Sequence, residues 1–395
     1  MFNSDMEQVQ LRQRLPELAI ISIFLLAVTT PLLGWLLGKD LFYSEAEKRE
    51  LISFPEIGQY QSITGFSRAF DDYYQDHFGM REWFIHRYQR EVDKRFGATG
   101  FADVVEGGDG WFFYAGDGLL EDLRGELHFS DKQRQLFWNR MEEREEWLGA
   151  RGVAYIFLVA PDKQSIYPEY LPLSLRQTMG ESRLDQLLAA KPQGKSQTLL
   201  DIRSRLQREK GEHVLYDRSD THWNLRGSSY AYRAIVERTQ TLFPAFISRP
   251  DFHFAPRLSY LPGGDLAQMI GRSKEIAEGR PVLMTTAFSG VEKPLPEEIA
   301  DLVTLPALQA QYSENQRGQL RVLVLHDSFF NQLRPFVSET YASVLYLWKY
   351  ADRKTLGFFT EKRMTDLIEI YEPDLVIEET VERRLPRFLF PYVEE

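Results

Sequence analysis

The stretch RVLVLHDSFF, residues 321–330, decides the fold class of this chain. Its first half is rich in Val and Leu, a composition typical of a strand buried on both faces of a mostly parallel sheet. The strand is expected to stop at His326 and Asp327, which places Ser328 at its carboxyl end, where open α/β sheets bind their ligands. A helix predicted from Asn331 to Tyr341 would turn its first backbone N–H groups toward any negative charge that forms there.

Helical and extended patterns alternate along most of the chain. The predicted strands are Val153 to Ala160, His213 to Tyr216, Arg321 to Leu325, Val344 to Trp348 and Leu375 to Ile377. The predicted helices are Ser130 to Leu148, Leu184 to Ala190, Arg226 to Leu242, Asn331 to Tyr341 and Glu361 to Ile370. This alternation predicts an α/β fold, a parallel sheet with helices on both faces. Between residues 244 and 319 the pattern lapses, and we interpret that segment as an insertion near the site.

The composition excludes several classes of protein. With 43% hydrophobic residues in 395, the chain can bury a large core, so wholesale disorder is excluded. A net charge of -11 argues against a nucleic-acid partner, which would need a large cationic surface. The chain has no cysteine, which rules out disulfides, thiolate nucleophiles and zinc sites built on Cys.

A run of 20 residues without a charge, Ala19 to Gly38, is long enough to cross a bilayer as a helix. Arg12 and Arg14 precede this run, so the positive-inside rule places residues 1–18 in the cytoplasm and the chain after Asp40 on the other side. We expect an uncleaved signal-anchor. A cleaved signal peptide is the alternative, although the run is long for one and no small-x-small cleavage site follows closely.

The exported part is predicted to have two pieces. Residues 39–100 form a helical, charged extension with aromatic residues at near-helical spacing, which we interpret as a face packed on the main domain. Gly107, Gly108 and Gly110 indicate a tight turn into a strand. The main globular domain is therefore predicted to span residues 101–395.

The stretch YDRSDTHWN, residues 216–224, holds the second group of chemically useful side chains. Asp220 and His222 are two residues apart, so in an extended backbone they project from the same face. The carboxylate would accept the imidazole Nδ1–H and leave Nε2 to take a proton from a serine hydroxyl. Because the stretch begins where the predicted strand from His213 to Tyr216 ends, it is expected to share the carboxyl edge of the sheet with Ser328.

Other uses of these residues stay open. Asp220 and His222 are also compatible with a polar turn before the next helix, and Ser328 with a helix N-cap. His326 and Asp327 are adjacent and point in different directions, so solvent contact or hydrogen bonding at the sheet edge is favoured over a role as local base. The other histidines show no i, i+4 pairing around a Glu, and we predict no metal site.

The DTHW motif at Asp220 to Trp223, followed about a hundred residues later by a strand ending in HDSF, resembles the AlgX/AlgJ-type family of exported polysaccharide O-acetyltransferases, within the SGNH hydrolase-like superfamily. Four further stretches agree: FDDYYQDHFGMR at 70–81, GDGWFFY at 108–114, APDKQSIYPEYLP at 160–172 and GGDLAQMIG at 263–271. The serine follows the Asp-x-His pair, the permuted order of this family. The chain ends soon after its last predicted strand, so it most resembles the membrane-anchored AlgJ form, which lacks a carbohydrate-binding module.

The resemblance implies a flavodoxin-like, SGNH hydrolase-like fold and a catalytic triad of Asp220, His222 and Ser328. It implies attack by Ser328 on an acetyl donor, an acetyl-serine intermediate, and transfer to hydroxyls of an exopolysaccharide such as alginate, with no cofactor. It also implies a membrane-bound acyltransferase partner that supplies acetyl groups. The corresponding location is the inner membrane, crossed once, with the catalytic domain in the periplasm.

Gly264, Lys349 and Trp348 are candidates for binding the oxyanion or the substrate. The Ser328 N–H is the expected first oxyanion donor, and Gly264, where backbone can approach closely, is a candidate for the second. Lys349, at the end of the next predicted strand, is a candidate for contact with an anionic sugar or with the oxyanion. Trp348, beside it, is a candidate for packing against a sugar face. A polysaccharide acetyl esterase with the same triad and a non-catalytic scaffold subunit are the alternative functions, and no motif separates them from a transferase.

Overall fold

The computed structural model describes residues 103–192, 198–247, 252–284, 288–350 and 353–389, with residues 62–79 and scattered positions between residues 20 and 87. The chain divides into two compact units, Met1–Arg95 and Phe96–Glu395. In the first unit, helix α1 (Ile63–His77) begins after Ser62, whose side chain accepts the Gly65 N–H. A pair of two-residue strands, Tyr43–Ser44 and Arg49–Glu50, precedes it.

The predicted membrane anchor, Ala19 to Gly38, lies for the most part outside the described residues. Within the part of the chain that the structure describes, no helix has the length and apolar character needed to cross a bilayer. The aromatic residues predicted to form one face of the extension do contact one another, with the Phe70 ring 6.3 Å from that of Phe66 and 6.2 Å from that of Tyr73. Their packing on the main domain stays a prediction.

The second unit contains a seven-stranded sheet and two hairpins. The hairpins pair β1 (Val104–Glu106) with β2 (Phe112–Tyr114), and, further along the chain, His253–Pro262 with Ala277–Met284. The chain-order strands are β3 (Ala154–Ala160), β4 (Leu199–Asp201), β5 (His253–Pro262), β6 (Ala277–Met284), β7 (Val291–Lys293), β8 (Gln311–Glu314), β9 (Gln319–His326), β10 (Tyr341–Trp348) and β11 (Leu375–Val381). The sheet order is β4-β3-β11-β9-β10-β8-β7, in which the first five strands are parallel and the last two are antiparallel.

Helices cover both faces of this sheet, which confirms the predicted α/β class. They are α2 (Leu119–Leu123), α3 (Asp131–Gly149), α4 (Lys163–Ile166), α5 (Leu173–Arg176), α6 (Arg183–Ala189), α7 (Arg203–Glu209), α8 (Leu225–Leu242), α9 (Asp265–Met269), α10 (Glu297–Leu302), α11 (Arg334–Thr340), α12 (Arg353–Phe358) and α13 (Glu361–Tyr371). Short 3₁₀ segments lie at Gly108–Gly110, Pro168–Tyr170, Ser273–Glu275, Pro306–Leu308, Ser328–Gln332 and Glu382–Leu389.

The strand predicted from RVLVL is β9, the middle strand of the seven, with a parallel neighbour on each side. Val322 and Val324 pack into the core on one face together with residues of α8 and α11. Leu323 and Leu325 pack into the core on the other face with residues of α3 and α13. A strand covered on both sides has no polar face, which explains why its apolar residues are continuous rather than alternating.

The predicted strand from His213 to Tyr216 does not form, and this prediction is wrong. Only an isolated antiparallel bridge joins Tyr216 to Trp223, and the Val214 side chain is 48% exposed. Groups other than a neighbouring strand satisfy the backbone here. The Leu215 N–H donates to the Tyr167 hydroxyl at 2.9 Å, and the Leu215 carbonyl accepts the Asn224 N–H at 2.9 Å. The segment is therefore a closed loop rather than a member of the sheet.

Two other predictions need correction. The helix expected from Asn331 to Tyr341 is a 3₁₀ turn, Ser328–Gln332, followed by α11. The supposed insertion at 244–319 is not all peripheral, because β7 and β8 complete one edge of the main sheet. Among the strands described in this segment, the hairpin of β5 with β6 lies outside that sheet, and β6 contacts the loop that carries Asp220.

Candidate active site

Ser328 is the first residue of the 3₁₀ turn that follows β9 directly. Asp327 anchors this turn, since its carboxylate accepts the Phe329 N–H and the Val381 N–H, both at 2.9 Å. The Asp327 N–H in turn donates to the Glu379 carboxyl group at 3.1 Å. Burial, followed by the nearby Asp327 carboxylate, raises the pKa of Glu379 well above its usual value. Two buried carboxyl groups, those of Asp327 and Glu379, thus hold the turn that carries Ser328.

His326 lies in the core and cannot reach solvent, so the part of the prediction that gave it solvent contact is wrong. Its Nδ1 lies 2.7 Å from the Asp327 carbonyl oxygen, and its Nε2 lies 3.2 Å from an Arg334 guanidinium nitrogen. Burial, followed by the charge of Arg334, lowers the pKa of His326 to about 3. The imidazole is therefore neutral, with Nδ1–H donating and Nε2 accepting. It is a hydrogen-bonding group of the sheet edge, as the other part of the prediction states.

Asp220, His222 and Ser328 form one chain of hydrogen-bonding contacts. The Asp220 Oδ1 atom lies 2.8 Å from His222 Nδ1 and also accepts the His222 N–H at 3.0 Å. On the other side of the ring, His222 Nε2 lies 2.8 Å from the Ser328 hydroxyl oxygen. Two segments 106 residues apart are thereby joined at one point.

The electrostatics select one arrangement of protons in this chain. Burial opposes ionisation of Asp220, but the hydrogen bond and charge of His222, with the N–H groups of His222 and Asp265, hold its pKa well below the usual value. An ionised Asp220 accepts the Nδ1–H of His222. When the imidazole is neutral, its Nε2 lone pair faces the Ser328 O–H, the arrangement that a general base requires.

Trp223 connects the loop of His222 with the turn of Ser328. Its ring is buried, and its Nε1–H donates to the Phe329 carbonyl oxygen at 2.9 Å. The Phe329 ring centroid lies 4.7 Å from the His222 ring and 5.5 Å from the Trp223 ring. Trp223 is next to His222 in the chain, and Phe329 is next to Ser328. The hydrogen bond between Trp223 and Phe329 therefore helps to set the distance between the base and the nucleophile.

We expect Trp223→Phe to lower kcat about tenfold with a smaller change in KM, because the base and the nucleophile lose a shared anchor. The measurement is turnover of a chromogenic acetyl ester. Trp138→Phe is the matched control, since Trp138 is also buried and donates its Nε1–H to a carbonyl, that of Leu187, at 2.9 Å. Equal kcat values in the folded Trp223→Phe and Trp138→Phe variants would show that Trp223 does not position the base and the nucleophile.

Gly264 does not supply a second oxyanion donor, and this prediction is wrong. Its N–H is already bonded to the Ser219 hydroxyl oxygen at 2.9 Å. A Cβ at this position would lie 2.4 Å from both the Cβ and the Oδ2 of Asp220. The missing side chain therefore serves a different purpose, which is to let backbone pack against Asp220. The Asp265 N–H reaches Asp220 Oδ2 at 3.2 Å as a result.

Asp265 is a residue of the candidate site that no sequence pattern singles out, although it lies in the GGDLAQMIG motif. Its Oδ1 accepts the Thr221 N–H at 2.7 Å, and its Oδ2 lies 3.7 Å from His222 Nδ1. Asp220, His222 and Asp265 offer ligand atoms within 4.8 Å of one another, so they are a group that could hold a metal ion. Metal binding at His222 Nδ1 would displace its hydrogen bond to Asp220, so the two arrangements are alternatives.

Lys349 does not face the substrate region, and its predicted role is wrong. It is 2% exposed, and its ammonium lies 2.8 Å from the Glu378 carboxylate in the core. Glu378 also accepts from Arg144 at 2.8 Å and from the Tyr155 hydroxyl at 2.6 Å. Trp348 is half-buried with its ring 5.7 Å from that of His326. Contact of Trp348 with a sugar stays a prediction.

Residues 104–298 match the family model described as the SGNH hydrolase-like domain of the acetyltransferase AlgX. The match contains Asp220 and His222 and ends before Ser328. This match confirms, over residues 104–298, the resemblance to the AlgX/AlgJ family of SGNH hydrolase-like acetyltransferases. A search of curated protein sequences found no match.

Several solved structures are similar to this chain at low identity. The O-acetyltransferase domain of Pseudomonas putida AlgJ is 18% identical, with 72% of this chain and 93% of that chain covered and a TM-score of 0.45. Bacillus cereus PatB1 with a sulfonyl adduct is 15% identical, with 73% and 98% covered and a TM-score of 0.48. Pseudomonas aeruginosa AlgX is 15% identical, with 79% and 67% covered and a TM-score of 0.45. TM-scores below 0.5 support no functional conclusion.

Proposed function

We propose that this protein is an O-acetyltransferase that carries an acetyl group on Ser328 and transfers it to a hydroxyl of an exopolysaccharide. The observation that carries the proposal is the pair of 2.8 Å contacts from Asp220 Oδ1 to His222 Nδ1 and from His222 Nε2 to the Ser328 hydroxyl oxygen. The match of residues 104–298 to an acetyltransferase family model supports the acetyl group as the group that is transferred. The resemblance to exported polysaccharide O-acetyltransferases supports the class of acceptor.

In the first half-reaction, the Ser328 oxygen attacks the acetyl carbonyl carbon of the donor while His222 Nε2 takes the hydroxyl proton. The resulting tetrahedral intermediate collapses with cleavage of the bond between the carbonyl carbon and the donor oxygen. His222 returns the proton to that leaving oxygen, and an acetyl ester remains on Ser328. Asp220 keeps its charge throughout and stabilises the imidazolium.

The negative charge of the tetrahedral intermediate needs a donor beside Ser328. The Ser328 N–H is the first of the 3₁₀ turn, a position whose N–H has no partner within the turn. The next N–H, that of Phe329, is committed to Asp327, and the His222 N–H is committed to Asp220. We therefore assign the Ser328 N–H as an oxyanion donor.

In the second half-reaction, a sugar hydroxyl gives its proton to His222 and attacks the acetyl-serine carbon. The bond to the Ser328 oxygen breaks, and that oxygen takes the proton back. Water can replace the sugar, and the product is then acetate, so the triad alone does not separate a transferase from an esterase. Occupancy by the acceptor and exclusion of water decide which reaction prevails.

The test is to supply the exported domain with a chromogenic acetyl ester, with and without uronate and glucan oligosaccharides. We expect slow hydrolysis alone, and oligosaccharides heavier by one acetyl group when an acceptor is present. Loss of acetyl groups from acetylated polymers, with no gain by any oligosaccharide, would assign an esterase instead. Complete inactivity toward donor and polymer would favour a scaffold subunit.

The proposed location is the periplasmic side of the inner membrane, with acetyl groups supplied by a membrane-bound acyltransferase partner. The support is the uncharged run from Ala19 to Gly38 with Arg12 and Arg14 before it. A reporter that is active only in the periplasm should be active when fused after residue 100. Activity of a cytoplasmic reporter alone would overturn this topology and the polysaccharide assignment with it.

A further inference from the structure

The three residues before Asp220 form a loop, 217–219, whose backbone is held by a buried lysine. The Lys163 ammonium donates to the carbonyl oxygens of Asp217 at 2.9 Å and Arg218 at 3.1 Å. Its third hydrogen bond, at 2.7 Å, goes to the Phe112 carbonyl oxygen on β2. Lys163 is only 2% exposed, so all three ammonium hydrogens have protein partners and none is left for solvent.

A buried glutamate holds the same loop from its N–H side. Glu278, on β6, is 7% exposed. Its carboxylate accepts the Arg218 N–H at 3.0 Å and the Ser219 N–H at 2.9 Å, and it also accepts the Ser219 hydroxyl. The Ser219 oxygen accepts the Gly264 N–H in turn, at 2.9 Å. The carboxylate therefore closes a network that reaches the glycine packed on Asp220.

These contacts place two consecutive peptide groups between opposite charges. In the peptide that joins Asp217 to Arg218, the carbonyl oxygen bonds to Lys163 and the N–H bonds to Glu278. In the peptide that joins Arg218 to Ser219, the carbonyl oxygen again bonds to Lys163 and the N–H to Glu278. Both peptide dipoles thus lie with their negative end at the ammonium and their positive end at the carboxylate, the favourable orientation.

Packing stability alone does not account for an ammonium at this position. Among the described residues, no carboxylate lies within ion-pair distance of Lys163, whose charge is met by carbonyls and by the rings of Trp111 and Phe113 at 5.5 and 5.6 Å. Burial lowers the pKa of Lys163 to about 8, against the opposing charges of Asp220, Asp265, Glu278 and Asp217. A buried charge that costs free energy but organises a loop indicates a positioning role.

We propose that Lys163 and Glu278 are a pair of positioning residues, here called the clamp, that hold the loop from its two sides and thereby place Asp220 against His222. This rests on the proposed function, because it assigns Asp220 as the group that orients the base. It also gives a purpose to two stretches that the triad leaves unused. Lys163 belongs to APDKQSIYPEYLP, and Phe112, which donates its N–H to the Arg218 carbonyl oxygen at 2.9 Å, belongs to GDGWFFY.

The test compares each clamp variant in two backgrounds. Lys163→Met and Glu278→Gln are made with Asp220 intact and with Asp220→Asn. The readout is the rate at which phenylmethanesulfonyl fluoride modifies Ser328, followed by intact mass, together with kcat and KM for an acetyl ester. With Asp220 intact, each substitution should lower both the modification rate of Ser328 and kcat about tenfold to a hundredfold relative to wild type, with a smaller change in KM. In the Asp220→Asn background, each substitution should lower the modification rate and kcat by less than about threefold more, because the Asp220 carboxylate that Lys163 and Glu278 place is already absent.

A general loss of structure would act differently. Lys163→Met and Glu278→Gln would then cost equal factors in both backgrounds, and that result overturns the proposal. Gln186→Met is the matched control, since Gln186 is buried and bonds the Phe129 N–H and the Leu127 carbonyl oxygen, both at 2.9 Å, in another loop. Gln186→Met should lower the melting temperature and leave the modification rate of Ser328 in the folded protein unchanged. If Lys163→Met does not fold, Glu278→Gln and Ser219→Ala decide the outcome by the same comparison.

Sulfonylation separates this proposal from the proposed function. It reports how well His222 activates Ser328, whether or not the chain transfers acetyl groups. A wild-type chain that is sulfonylated at Ser328 but acetylates no oligosaccharide would refute the transferase and still test the clamp. Wild-type rates in the folded Lys163→Met and Glu278→Gln variants would refute the clamp and leave the transferase standing.

Discussion

Ser328→Ala is expected to lower kcat for an acetyl ester about ten-thousandfold or more, because no acetyl ester can form without the hydroxyl oxygen. The change removes one atom from a side chain that is partly exposed at a strand end, so the melting temperature should stay close to the wild-type value. His222→Ala should cost about as much, since members of a catalytic unit are strongly non-additive. Asp220→Asn should be milder.

The comparison needs a serine whose hydroxyl is hydrogen-bonded away from the triad. Ser338 fits, because its hydroxyl lies 2.9 Å from that of Ser313 and 2.7 Å from that of Tyr346. Ser338→Ala should keep wild-type turnover, and intact mass should show an acetyl adduct in this variant and none in Ser328→Ala. Wild-type turnover by a folded Ser328→Ala variant would mean that another group is the nucleophile.

The central strand and the Asp-x-His pair could be predicted because both depend on short-range patterns. A short, continuous apolar run such as residues 322–325 is typical of a strand that is buried on both faces of a sheet. The spacing of Asp220 and His222 places both side chains on the same side of an extended backbone. The structure shows that contact, with the two side chains 2.8 Å apart.

The errors concern residues whose partners are distant in sequence. Nothing local distinguishes the apolar residues Val214 and Leu215 from a strand; the distant Tyr167 hydroxyl satisfies that backbone instead. Lys349 follows a strand end as a surface lysine would, and only the fold brings Glu378 to it. Gly264 packs against Asp220, which lies about forty residues away in the chain, and no sequence pattern reports that contact.

Gly264→Ala is expected to lower kcat/KM about a hundredfold, because the new methyl group occupies space that Asp220 now fills. An alanine Cβ would lie 2.4 Å from the Asp220 carboxylate oxygen Oδ2, well inside contact distance. The backbone at Gly264 has φ -71 and ψ -161, which alanine can adopt, so the cost arises from this contact rather than from backbone strain. To relieve it, Asp220 must move away from the Asp265 N–H and change its approach to His222.

Gly149→Ala is the matched control, since a Cβ at the end of α3 would meet no atom within 4 Å. That variant should keep wild-type kcat and a melting temperature equal to or slightly above wild type. Gly264→Ala should lose stability as well, by about 1–3 kcal/mol for an overpacked site, yet most of its protein should remain folded. Sulfonylation of Ser328 should slow in parallel with ester turnover, because both require the base that Asp220 orients. A folded Gly264→Ala variant with wild-type rates in both assays would show that the loop adjusts freely and that the placement of Asp220 does not depend on this glycine.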